Sequence, residues 1–164
     1  MPTCFAPIID DNTEILIIGT MPSRASLEAQ QYYGFKHNAF WKIIAQMAGE
    51  NLPEYSCKIV ALRKLKLGLW DNLQYCERAG SLDSHIKNEI PNDFETLLKK
   101  YPKIQKLLFN GQKSYQFFKK YHPILLKKYN YAVLPSTSPA NAGLKYEDKY
   151  RQWQREIKTD VSGR

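Results

Sequence analysis

Apolar and polar positions alternate along the chain in blocks that mark its elements. Residues 14–20, "EILIIGT", form a short continuous apolar run ending in glycine. Such a run reads as a strand buried on both faces. Phe40, Ile43, Ile44 and Met47 then recur at i, i+3, i+4 and i+7, which predicts an amphipathic helix stopped by Gly49. Residues 57–67 mix basic and apolar positions and predict a further helix. "LGLWDNL" (67–73) reads as a second strand, and the polar stretch 76–92 as loop. Asn92 is placed to cap a helix whose face is Phe94, Leu97, Leu98 and Tyr101. "KLLFNG" (106–111) is a third strand, followed by a helix to about Pro123. "YAVLPSTSPAN" (131–141) is a fourth strand running into a Ser/Pro loop. Tyr146, Tyr150, Trp153 and Ile157 share one face of a last helix.

Strands alternating with helices predict a parallel sheet in an α/β domain. Each strand runs directly into a polar turn: Gly19-Thr20-Met21-Pro22-Ser23, Trp70-Asp71-Asn72, Phe109-Asn110-Gly111 and Pro135 through Asn141. Ligands of open α/β sheets bind at the carboxyl ends of the strands. The four turns are therefore expected to meet at one site, although four unrelated solvated turns would give the same pattern.

The length, 164 residues, suits one domain over the whole chain, with 158–164 expected as a disordered tail. Lys and Arg number 24 against 16 Asp and Glu, a formal charge of +8. That balance favours a polyanion partner, nucleic acid or an anionic membrane surface, or else marks a lysine-rich solvated face. Three scattered cysteines without a C-x-x-C argue for reduced thiols in the cytoplasm and against a disulfide framework, a zinc site or an iron–sulfur site. The N-terminus has no basic segment leading into an apolar run, so no signal peptide is expected. No run approaches the roughly 18 apolar residues of a membrane span.

The sequence has no G-x-G-x-x-G, no P-loop and no G-x-S-x-G elbow. His37, His85 and His122 lack metal-ligand spacing, so neither a metal nor a cofactor is expected. The strand ends instead offer amides, hydroxyls, one carboxylate and aromatic faces. This set suits a neutral planar ligand such as a nucleobase, hydrogen-bonded at its edges and stacked on its faces.

At these residues the chain resembles the uracil-DNA glycosylase superfamily, and within it the hypoxanthine-DNA glycosylase branch. The matching pieces are Gly19 through Ser23, Tyr32-Tyr33, Asn38-Ala39-Phe40-Trp41, Leu69-Trp70-Asp71, residues 76–84, Pro91 through Phe94, Phe109-Asn110-Gly111 and Leu134 through Asn141. The resemblance implies a three-layer domain with a four-stranded parallel sheet. It implies a monomeric, monofunctional hydrolase that flips a deaminated base out of double-stranded DNA and cuts its N-glycosidic bond. Mismatch-specific relatives carry Gly-Ile-Asn-Pro-Gly in the first motif, where the Asn positions water. Met21 stands at that Asn position, and a thioether cannot do this work. The resemblance gives the role to Asn38.

By the same resemblance Gly19, Thr20, Met21, Pro22 and Ser23 line the base. Tyr33 or Phe40 stacks on it, while Trp41 is core. Asn110 braces the pocket. Asp71 either accepts from the N1–H of hypoxanthine or caps a loop. Pro135, Ser136, Thr137, Ser138, Pro139, Ala140 and Asn141 grip phosphates, with Ala140 and Asn141 at the wedge position, assisted by Lys36, Lys113 and Lys145. Where relatives carry His-Pro just ahead of this Asn, the chain has Phe35-Lys36. A uracil or thymine mismatch glycosylase and a non-catalytic nucleic-acid-binding module are the rival readings.

Overall fold

The computed structural model describes residues 4–78, 86–139 and 143–162. The four apolar runs are strands of one parallel sheet: β1 (Ile15–Gly19), β2 (Leu67–Asp71), β5 (Lys106–Asn110) and β6 (Asn130–Leu134). Their order is β2-β1-β5-β6. β1 is central, with Gly19 in register with Asp71 of β2 and Ile18 with Phe109 of β5. β6 pairs with β5 so that Asn110 lies beside Leu134.

The runs are continuous because both faces of the sheet are covered. Ile15 and Ile17 point into one core with Leu67, Leu69 and Leu108. This core is closed by α2 (Phe40–Ala48), α3 (Tyr55–Lys64) and α7 (Tyr146–Ser162). Leu16 and Ile18 point the other way, against Phe94, Leu98, Phe118 and Leu125. Those side chains come from α4 (Phe94–Lys100), α5 (Gln112–Tyr121) and α6 (Pro123–Lys128). The result is helices, sheet, helices, as expected.

Several local expectations change. Residues 76–92 are not simply loop. β3 (Leu73–Arg78) and β4 (Ile86–Pro91) form an antiparallel ribbon, with Leu73 opposite Pro91 and Tyr75 opposite Ile90. The ribbon is largely exposed and its register shifts twice, so no period-2 apolar signal marks it. Residues 79–85, His85 among them, lie outside the described residues.

A six-residue helix, α1 (Arg24–Ala29), follows the first strand-end turn and is capped by Ser23. The cap of α4 is Asp93, whose carboxylate accepts from Thr96 N at 3.1 Å. Asn92 turns inward instead, and its amide donates to the Asp71 carbonyl at 2.8 Å. α3 stops at Lys64, leaving Leu67 to open β2. Pro123 does not end helical structure but opens α6, since proline at a first helical position sacrifices no hydrogen bond. α7 spans Tyr146–Ser162, and residues 163–164 lie outside the description. Among the described residues no helix is long and apolar enough to cross a membrane.

Candidate active site

The carboxyl ends of β1, β2, β5 and β6 converge, and a cavity of about 120 Å³ opens between them. Its lining includes Gly19, Thr20, Met21, Pro22 and Ser23 from the first turn. Tyr33, Asn38, Asp71, Asn110, Ser136, Thr137 and Ser138 complete most of the rest. The regularity of polar strand ends therefore corresponds to one site.

Asp71 ends β2 and is 4% exposed. A Cβ added to Gly19 would overlap the Asp71 carboxylate and lie 2.9 Å from the Tyr33 hydroxyl. Glycine at position 19 leaves the room in which carboxylate and phenol close together above its Cα. The Asp71 backbone is held in place by its neighbours. Its carbonyl accepts from Asn92, and the next residue, Asn72, is a buried hub. Asn72 Nδ2 donates to the Gly19 carbonyl at 3.0 Å and to the Ser114 carbonyl at 2.9 Å. The Ser114 hydroxyl donates to the Ile18 carbonyl at 2.6 Å. These bonds fix where β1 turns into the cavity, pairing buried donors with buried acceptors.

Met21 is 8% exposed and packs on Leu73 and Phe117, giving the cavity an apolar wall. Ser23 and Ser26 link α1 to the next turn. Ser26 N donates to Ser23 Oγ at 3.2 Å, and Gly34 N donates to Ser26 Oγ at 2.9 Å.

The two aromatic candidates have different places. Tyr33 lines the cavity, with a left-handed backbone at φ +52°. Phe40 is fully buried and stacks behind it, ring centroids 4.2 Å apart and planes 29° off parallel. Trp153 and Trp41 meet Phe40 edge-on from the core. Phe40 is therefore the support and Tyr33 the exposed face, while Trp41 is core as expected. Tyr32 is also core-held, its hydroxyl donating to the Ala6 carbonyl at 2.9 Å. Burial drives its phenol far above the usual range, and the neighbouring Asp71 charge adds to this.

Asn38 closes a turn, its N–H donating to the Phe35 carbonyl at 2.9 Å. Its side-chain Oδ1 accepts from Phe40 N at 2.9 Å, at the start of α2. The amide is thus pinned at a helix N-terminus, half-buried and on the cavity wall.

The 135–139 loop divides its labour. Ser136 and Ser138 line the cavity, with Ser138 N donating to Ser136 Oγ at 3.1 Å. Pro135 and Pro139 line a wider groove of about 1090 Å³ that runs beside Asn38. Thr137 is not one of the exposed hydroxyls. It is 1% exposed, and its Oγ1 accepts from Asn110 Nδ2 at 2.9 Å. Ala140 and Asn141 lie outside the described residues. Phe5, Ser26 and Tyr32 also line the cavity, and Arg24 and Gln112 line the groove. Arg24 opens a helix too short for its pattern to stand out, and Phe5 arrives on an N-terminal segment that bridges β2 at Ile8–Leu69.

Fold and site together define a three-layer parallel α/β protein with a base-sized pocket at its strand ends. The chain belongs to the uracil DNA glycosylase superfamily, whose family model matches residues 6–161. Two curated relatives, from Methanosarcina acetivorans and Methanosarcina barkeri, are each named hypoxanthine DNA glycosylase. They are 42% and 41% identical to the chain over 140 residues, covering 84% of it and 86% of each relative. The solution NMR structure of a candidate uracil DNA glycosylase from Methanosarcina acetivorans superposes with a TM-score of 0.79. It is 38% identical and covers 93% of this chain and 94% of its own.

Proposed function

We propose that the protein is a DNA glycosylase that hydrolyses the N-glycosidic bond of deoxyinosine in DNA, releasing hypoxanthine and leaving an abasic site. The observation that carries this reading is the pairing, in one cavity, of the pinned Asn38 amide with the buried Asp71 carboxylate. The relatives named above support the same substrate.

A base inside a duplex is out of reach, so the nucleotide is extruded into the cavity, at lower cost when its pairing is weak. The base then stacks on Tyr33, which Phe40 holds from behind. An ionised carboxylate only accepts hydrogen bonds. Asp71 therefore selects an edge that presents a donor, as the N1–H of hypoxanthine does. Asn38 Oδ1 uses one lone pair on Phe40 N and retains the other for a water beneath the sugar. That water adds to C1′ as the bond to N9 breaks. The bonding pair leaves with the base, and the water's proton is lost to solvent as the base takes one up. Among the described residues the cavity lining contains no lysine, in keeping with hydrolysis rather than Schiff-base chemistry. On the same reading the protein acts as a monomer on double-stranded DNA in the cytoplasm.

Oligonucleotides carrying one deoxyinosine, uracil or xanthine, treated with hot alkali after incubation, test the proposal. Breaks at inosine that need alkali are expected. Breaks at uracil alone would make the protein a uracil glycosylase, and retention of DNA without breaks would make it a binding module.

A further inference from the structure

Phe35 is 38% exposed, an unusual position for a large apolar ring. Of the large exposed apolar side chains among the described residues, it is the one that lines the groove beside Asn38. It sits on the tight turn that Asn38 closes, so its backbone is tied to that of the catalytic candidate by one hydrogen bond of 2.9 Å. His37 meets it edge-on, ring centroids 5.3 Å apart, and Lys36 stands exposed between them. Pro139, Ser138 and Leu144 belong to the same groove lining, together with Arg24. The turn thus presents an aromatic ring, backed by a second ring and accompanied by the Lys36 charge, along the groove beside Asn38.

We infer that Phe35 is a wedge: it enters the base stack beside the extruded nucleotide and holds open the space that nucleotide leaves. The inference rests on the glycosylase reading for its DNA partner and adds a residue that reading does not use. The chemistry fits. Apolar side chains inserted at a base step offset part of the cost of unstacking it. The 135–141 loop offers only Pro139 and the small Ala140 and Asn141 for this purpose. A Phe ring three residues before the polar Asn38 supplies the apolar area that loop lacks. Because the ring is tied to the Asn38 turn, its insertion and the placing of the amide at the sugar belong to one movement.

The test uses a duplex holding a stable tetrahydrofuran abasic analogue with 2-aminopurine as its neighbour, whose fluorescence rises when it is unstacked. No bond is cut, so the readout is independent of catalysis. The parent protein is expected to raise the fluorescence. Phe35→Ala is expected to lose most of the rise, and Phe35→Trp to keep it. In single-turnover excision, Phe35→Ala should slow removal of inosine paired with cytosine about tenfold, the scale of one aromatic–base contact. Removal of an unpaired, bulged inosine should fall far less. A parental fluorescence rise with Phe35→Ala, or equal slowing on paired and bulged inosine, would overturn the wedge. If the parent excises no inosine yet shows a Phe35-dependent rise, the wedge stands and the proposed activity fails.

Discussion

Asn110 and Thr137 hold each other by two hydrogen bonds of 2.9 Å. Asn110 Nδ2 donates to Thr137 Oγ1, and Thr137 N donates to Asn110 Oδ1. Both residues are buried. The Thr137 carbonyl in turn accepts from Ala39 N at 3.0 Å. A continuous path therefore runs from the end of β5 through the fourth loop to the residue beside Asn38.

This path predicts that Thr137→Val slows excision although the side chain is buried. The substitution leaves Asn110 Nδ2 without its partner, at a cost of about 1–3 kcal/mol for a buried donor. Asn110→Ala should act on the same step. In a double-mutant cycle on single-turnover rates and unfolding free energies, the two changes should couple by about 0.5–3 kcal/mol. Additive effects would show that the clamp does not act as a unit.

Gly19→Ala should be severe for so small a change. The new methyl would displace the Asp71 carboxylate and the Tyr33 hydroxyl together. Overpacking of this kind costs about 1–3 kcal/mol of stability. The denaturation midpoint should fall accordingly, and inosine excision should fall further than the loss of folded protein explains. A variant with the parent's rate would mean that the carboxylate and phenol need not converge.

Asp71→Asn is nearly isosteric and should leave folding almost unchanged. An amide offers both a donor and an acceptor, so discrimination against a base edge that only accepts, as adenine N1 does, should weaken. The ratio of inosine to adenine excision rates is expected to drop. An unaltered ratio, or an unfolded variant, would make Asp71 a structural residue.

What the sequence made legible follows from burial. β1, β2, β5 and β6 were readable because both faces of the sheet are covered, so their apolar runs are unbroken. Helix faces such as Phe40, Ile43, Ile44 and Met47 were readable for the same reason. The β3–β4 ribbon was not, since backbone pairing rather than a buried face holds it. In the site, residue type announced the chemistry but not its direction. Ser136, Thr137 and Ser138 look alike in sequence, yet only Thr137 turns inward to Asn110. Tyr33 and Phe40 were interchangeable until the left-handed turn at Tyr33 set one ring in front of the other. The sequence points to Asn92 as the cap of α4, but the Asp71 carbonyl, distant in sequence, takes its amide and Asp93 caps instead.

The central claim is that the Asn38 amide drives bond cleavage, and its side chain also accepts from Phe40 N in the turn that leads into α2. Two variants separate the roles. Asn38→Ala removes both, and Asn38→Ser keeps a turn-forming oxygen while removing the amide. Single-turnover excision of deoxyinosine is the measurement, with binding to abasic-analogue DNA as the control for folding and docking. Losing one preorganised polar group at a reacting centre slows such steps by roughly 10²–10³-fold. Both variants are expected to slow by that factor while binding the abasic analogue nearly as the parent does. Excision at the parent's rate by a folded, DNA-binding Asn38→Ser protein would contradict the account, leaving Asn38 a turn residue and the water-positioning group elsewhere.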